Sequence, residues 1–242
     1  MKSTYQDALA SYGIGGAHPG GLHLTKQILE NEKITTKTSI LDAGCGTGQT
    51  SAYLADRYKC QVTAIDHHPI MVEKARQRFI RENLSVPVIQ GSIEELPYPD
   101  ESFDIVIAES VTAFTNINKS LKEFYRVLKS NGILIDLDMN AEGPLSDEEK
   151  QNICTVYGMD NVLTEKEWME EMKSAGFSAI ERLAGSSIHI HLQQPQPLLD
   201  PEFHMSPNVS PDLVSILFAH NELTNMYGHL IGFRVFRAKK EA

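Results

Sequence analysis

The chain has 242 residues, enough for one sizeable core, and a formal net charge of -10, which argues against a protein whose affinity comes from clustered Lys and Arg set against nucleic-acid phosphates. No apolar run approaches the roughly 20 residues of a membrane-spanning helix, and the first residues lack the apolar core of a secretory signal. Cys45, Cys60 and Cys154 have neither zinc-site nor disulfide spacing, so the composition predicts a cytoplasmic protein with reduced thiols and no membrane or nucleic-acid partner.

Residues 1–37 precede the first strand-like run and carry the glycine-rich YGIGGAHPGG. From Thr38 onward apolar, β-branched runs alternate with helical patterns, the signature of a parallel sheet covered on both faces. Strands are predicted at 38–43, 61–66, 86–90, 103–109, 132–138, 178–184 and 230–238, with helices at 48–58, 69–82, 118–129 and 164–175. The helix after Asn118 puts Leu121, Phe124, Tyr125 and Leu128 on one face, and Asn131-Gly132 reads as its left-handed cap. The helix near 164 opens with a Thr164/Glu167 capping box and stops at Gly176, with Trp168 and Met172 facing the sheet. Residues 185–229 hold five prolines and end in an amphipathic helix that starts at Ser210-Pro211, carries Leu213, Ile216, Leu217 and His220 on one face, and stops at Gly228. The N-terminal region and this insertion break the alternation, and loops around a fixed scaffold are where substrate specificity is expected.

The stretch LDAGCGTGQT supplies Gly44, Gly46 and Gly48 at the end of the first strand. A triphosphate loop needs a Lys after its last glycine, and Gln49-Thr50 supplies none. The spacing is one residue short of the dinucleotide pattern, although Gly46, Gly48 and Ser51 can be forced into it. Asp42 weighs against a dinucleotide, because a pyrophosphate beside it would be repelled whereas an ammonium would be attracted. Asp66, 20 residues after Gly46 at the end of the second strand, is placed to accept hydrogen bonds from ribose hydroxyls. Adenosine ribose, an ammonium and no phosphate describe S-adenosylmethionine.

LDAGCGTGQT, VTAIDHHPIMVEKAR, GSIEELPYPDESFDIVIAES and FYRVLKSNGILIDLD, in that order across about residues 38–184, resemble the class I S-adenosylmethionine-dependent methyltransferases, in particular the quinone-biosynthesis branch. The resemblance implies a single α/β, Rossmann-like domain over 1–242, with a seven-stranded sheet in the order 3-2-1-4-5-7-6, strand 7 antiparallel and helices on both faces. It implies a lid at 1–37, a cofactor-binding core at 38–184 and a substrate-covering insertion at 185–229. Asp42, Gly44 and Gly46 would line the methionine part, Cys45 would sit among the cofactor-binding residues as a side chain that needs to be small, Gly48 would admit close helix packing, and Asp66 would hold the ribose. His67 would lie beside the adenine, Ser92 and Ile93 would flank it, and Glu109 with Ser110 would stand near the methyl group. Where relatives often carry Asp, Ser92 offers the adenine amino group a weaker acceptor.

His189 and His191 in IHIHL fall on one face of a segment read as extended, but no third ligand accompanies them, so a solvated or pocket-lining face is expected rather than a metal site. Methyl transfer to a small-molecule acceptor by in-line displacement mainly requires orientation and exclusion of water. For a hydroxyl or an acidic carbon a base would help, and His18, Tyr12 and Glu109 are the candidates. A cofactor-binding regulatory module and an NAD-dependent oxidoreductase remain as alternatives.

Overall fold

The computed structural model describes residues 3–194 and 203–241. Its strands are β1 (Ser39–Ala43), β2 (Gln61–Asp66), β3 (Val88–Gln90), β4 (Phe103–Glu109), β5 (Leu128–Ala141), β6 (Ser178–Ser187) and β7 (Ile231–Lys239). They form one seven-stranded sheet in the order β3-β2-β1-β4-β5-β7-β6, with β7 antiparallel to both of its neighbours. The strands β1 and β4 are buried almost throughout, because a parallel strand covered on both faces has no solvent side to make polar.

The helices are α1 (Tyr5–Tyr12), α2 (Gly21–Leu29), α3 (Gln49–Tyr58), α4 (Pro69–Arg81), α5 (Ile117–Val127), α6 (Asp147–Tyr157), α7 (Glu165–Ser174), α8 (Ile188–Gln193) and α9 (Pro211–Tyr227). One face of the sheet takes Leu121 and Phe124 of α5 with Trp168 and Met172 of α7; the other takes Leu29, Leu54, Val72 and Phe79 of α2, α3 and α4. Trp168 is fully buried and its Nε1 donates to the Met139 carbonyl at 2.9 Å, so the indole leaves no polar atom unpaired.

Three local expectations change. The helix predicted at 118–129 ends at Val127, because Leu128 already pairs with Phe103 as β5 begins; Asn131 does adopt a left-handed φ of 67°, but inside β5. The segment IHIHL is not extended: Ser187 Oγ accepts from Ile190 N at 3.3 Å and caps α8, which spreads His189 and His191 around a helix. Residues 1–37 hold two helices where none was predicted, and 147–157 hold another. In the region 185–229, residues 195–202, with three of its five prolines, lie outside the described residues.

The strand order reverses between β1 and β4, whose helical connections leave to opposite faces. Open α/β sheets bind ligands in the crevice at the carboxyl ends of strands at such a point.

Candidate active site

Asp42, Asp66 and Glu109 come from the carboxyl ends of β1, β2 and β4 and line one cleft of about 440 Å³. Asp42 is buried and accepts from Ser51 Oγ at 2.5 Å. Burial, reinforced by the charges of Glu109 and Asp66 and opposed by the Ser51 hydroxyl, pushes its carboxyl up to about 7. Asp66 is not the N-cap of α4; that place belongs to His68, whose ring accepts from Ile70 N. Instead Asp66 Oδ2 accepts from Gly46 N at 2.9 Å and Oδ1 from His68 N at 2.8 Å, which ties the glycine loop to β2. Glu109 accepts from Thr25 Oγ1 at 2.5 Å and Thr50 Oγ1 at 2.6 Å, one hydroxyl on each oxygen.

The loop residues divide. Gly44, Cys45 and Gly46 line the cleft, and a Cβ on Gly46 would meet no atom within 4 Å, so the backbone there faces open space. Gly48 does not line it; φ is 77° and a Cβ would stand 2.7 Å from Phe79 of α4, so this glycine serves helix packing. The Cys45 thiol is pushed well above its usual value by burial and by Asp42 and Asp66, which keeps it protonated. His67, Ser92 and Ile93 also line the cleft; Ser92 Oγ accepts from Glu94 N at 3.1 Å. Ser110, at a φ of 53°, turns the chain out of β4 at the cleft mouth.

A second cavity of about 830 Å³ adjoins the first, and Leu9, Ile14, His18, Ser110 and Phe114 border both. Its body is apolar: Tyr5 of α1, Tyr157 of α6, Ile188 and Leu192 of α8, Leu217 of α9 and Phe233 of β7. Tyr157 OH lies 2.9 Å from His220 Nδ1, and Tyr5 packs edge-on to the Tyr157 ring at 5.1 Å. Burial lowers the pKa of His220 and pushes Tyr157 up to about 12, so both meet the cavity uncharged. His191 also lines this cavity, whereas His189 does not. Tyr12, unlike His18 and Glu109, borders neither cavity.

His18 sits in the wall between the cavities, with its side chain 4% exposed and Nε2 3.7 Å from Glu109 Oε1. The loop that carries it needs its glycines: Gly20 has φ of 82° and a Cβ there would meet the Leu24 side chain at 2.6 Å. The sequence reading missed Asp138, which borders the second cavity beside the fully buried Asp136. Burial raises both carboxyls, and their closeness raises Asp136 further. The signal was the alternation of Asp136, Asp138 and Asn140 on one face of a buried strand.

The cleft therefore offers four acidic side chains, Asp42, Asp66, Glu94 and Glu109, an open glycine backbone and, among the described residues, no lining Lys or Arg: it fits a nucleoside with a positive charge and no phosphate. A methyltransferase domain family model matches residues 41–136. The chain is 37% identical over 238 residues to the uncharacterized methyltransferase YodH of Bacillus subtilis, across 98% of this chain and 100% of that protein. It is 32% identical over 117 residues to the demethylmenaquinone methyltransferase of Listeria monocytogenes, across 47% of this chain and 49% of that protein. Among solved structures, a Haemonchus contortus phosphoethanolamine N-methyltransferase 2 in complex with phosphomonomethylethanolamine and S-adenosylhomocysteine superposes with a TM-score of 0.76 at 18% identity, over 99% of this chain and 58% of that one. With that near-full-length relative and this strand order, the chain belongs to the class I S-adenosylmethionine-dependent methyltransferases.

Proposed function

We propose that the protein transfers the methyl group of S-adenosylmethionine to a small, largely apolar acceptor held in the cavity between α1, α8 and α9. The observation that carries this reading is the pair of adjoining cavities, one ringed by strand-end carboxylates and the other walled by aromatic and aliphatic side chains. In the first, Asp66 would hold the ribose, His67, Ser92 and Ile93 the adenine, and Asp42, Gly44, Cys45 and Gly46 the methionine part. Glu109 would face the sulfonium, which supplies an electrophilic methyl group. The chain's own task is then to align the acceptor behind that methyl for in-line displacement and to keep water out. Helix α1 serves both, since Leu9 borders both cavities and Asp7 meets His68 Nε2 at 3.2 Å, fastening α1 to the start of α4.

The nature of the second cavity favours an uncharged acceptor. Its single lining Lys or Arg among the described residues is Lys26, whose Nζ lies 5.1 Å from the Tyr53 ring centroid. A phosphate or carboxylate buried there would lack the bidentate cation that such groups require. Calorimetric titration with S-adenosylhomocysteine and, separately, with NADH tests the reading. Binding of the former alone supports it and opens an acceptor screen with labelled donor; binding of NADH alone sinks it.

A further inference from the structure

Within the proposed methyl transfer, and resting on it, we infer that the acceptor presents a hydroxyl group to His18, whose Nε2 takes its proton, and that Glu109 is the positioning carboxylate behind that histidine. Three observations carry this. First, His18 stands where the cleft and the apolar cavity meet and borders both. Second, its Nε2 is buried and has no hydrogen-bond partner among the described residues, although a buried polar nitrogen without one is costly. Third, Nδ1 lies 3.4 Å from the Pro19 carbonyl, which can only accept, so the contact places a proton on Nδ1, and in the neutral ring the lone pair then belongs to Nε2. In that neutral form the unpaired atom can accept a proton from a donor placed in the cavity.

Glu109 Oε1 is 3.7 Å from that nitrogen, too far for a hydrogen bond, and its oxygens are already held by Thr25 and Thr50. A negative charge so fixed cannot swing in to take the proton itself, but it stabilises the imidazolium once formed. The step balances. A lone pair of the acceptor oxygen forms the new bond to carbon as the carbon–sulfur bond breaks, with that pair remaining on sulfur. The hydroxyl proton passes to Nε2 and leaves later to solvent. The positive charge lost at sulfur reappears on His18, beside the same carboxylate, so one fixed anion serves both ends of the step.

A chromogenic phenol tests the inference without turnover. With S-adenosylhomocysteine bound, 4-nitrophenol added at fixed pH should bind and show more of its phenolate absorbance than it does free in the same buffer. His18→Gln should retain S-adenosylhomocysteine binding and lose that added absorbance; Glu109→Gln should lose part of it. With a hydroxyl acceptor, His18→Gln should cut kcat by about 100-fold or more, the scale of a positioned base. Unchanged phenolate absorbance in His18→Gln overturns the role of His18. Failure of 4-nitrophenol and of unsubstituted naphthols to bind, while S-adenosylhomocysteine still does, overturns the hydroxyl acceptor and leaves the methyl-transfer reading standing. Failure of S-adenosylhomocysteine itself removes the reading beneath both. A histidine-labelled nitrogen NMR spectrum provides a check free of ligands, because a His18 proton found on Nε2 in the neutral ring also overturns the inference.

Discussion

The two cavities differ in how they are made. The carboxylate cleft is assembled from the ends of β1, β2 and β4, adjacent strands whose positions are fixed by the sheet, and each acidic side chain is held by a hydroxyl or a backbone amide. The apolar cavity is assembled from α1, α6, α8, α9 and one face of β7, elements far apart in sequence that meet through packed rings such as Tyr5, Tyr157 and His220. A rigid edge suits a ligand shared by many reactions, whereas a shell of packed helices can be reshaped residue by residue for one acceptor.

The comparison breaks first if the acids are not the ligand's anchors. Asp66→Ala should weaken S-adenosylhomocysteine binding by about 3 kcal/mol, since two charge-assisted hydrogen bonds are lost, measured by calorimetry. Glu109→Gln should weaken S-adenosylmethionine by about 1 to 2 kcal/mol while affecting S-adenosylhomocysteine less, because only the former carries the sulfonium. Equal losses for both would move Glu109 away from sulfur.

Proton linkage sharpens the contrast next. A bound cation favours ionised Asp42, whose folded-state pKa is about 7, so affinity should rise by about tenfold per pH unit below 7 and level off above it. The free protein should move oppositely. Folding raises this carboxyl from 3.8, so its contribution to stability declines as pH rises from 3.8 to about 7. On the apolar side, Tyr157→Phe should cost about 1 kcal/mol of unfolding free energy through the lost bond to His220, read from the denaturant midpoint. Leu217→Trp should fill the apolar cavity yet change S-adenosylhomocysteine affinity by no more than about 0.5 kcal/mol. A large change there would mean the two cavities are one site.

The cleft was legible because its signals are local: an apolar run, then an acid or glycine at the strand end, as at Asp42, Asp66 and Glu109. The second cavity was legible only in part. Leu217 and His220 were placed on one face of α9, but α1 and α6 were overlooked although each opens with a capping box, Thr4 with Asp7 and Ser146 with Glu149, the same signature that located α7. IHIHL misled for the opposite reason. Its alternation imitates a strand, and the decisive residue was Ser187 just before it. Neither reading reveals Tyr5 beside His220, because that contact depends on how α1 docks on α9.

The strand β7 lies between β5 and β6, so β6 has no other neighbour in the sheet. On a growing chain, β1 to β5 can pair as they are made, but β6 must wait for residues 231–239 before its backbone groups find partners. The carboxylate cleft can therefore take shape while synthesis continues. The wall that Phe233 gives to the apolar cavity depends on that later pairing, so of the two cavities it is the one whose lining waits for β7.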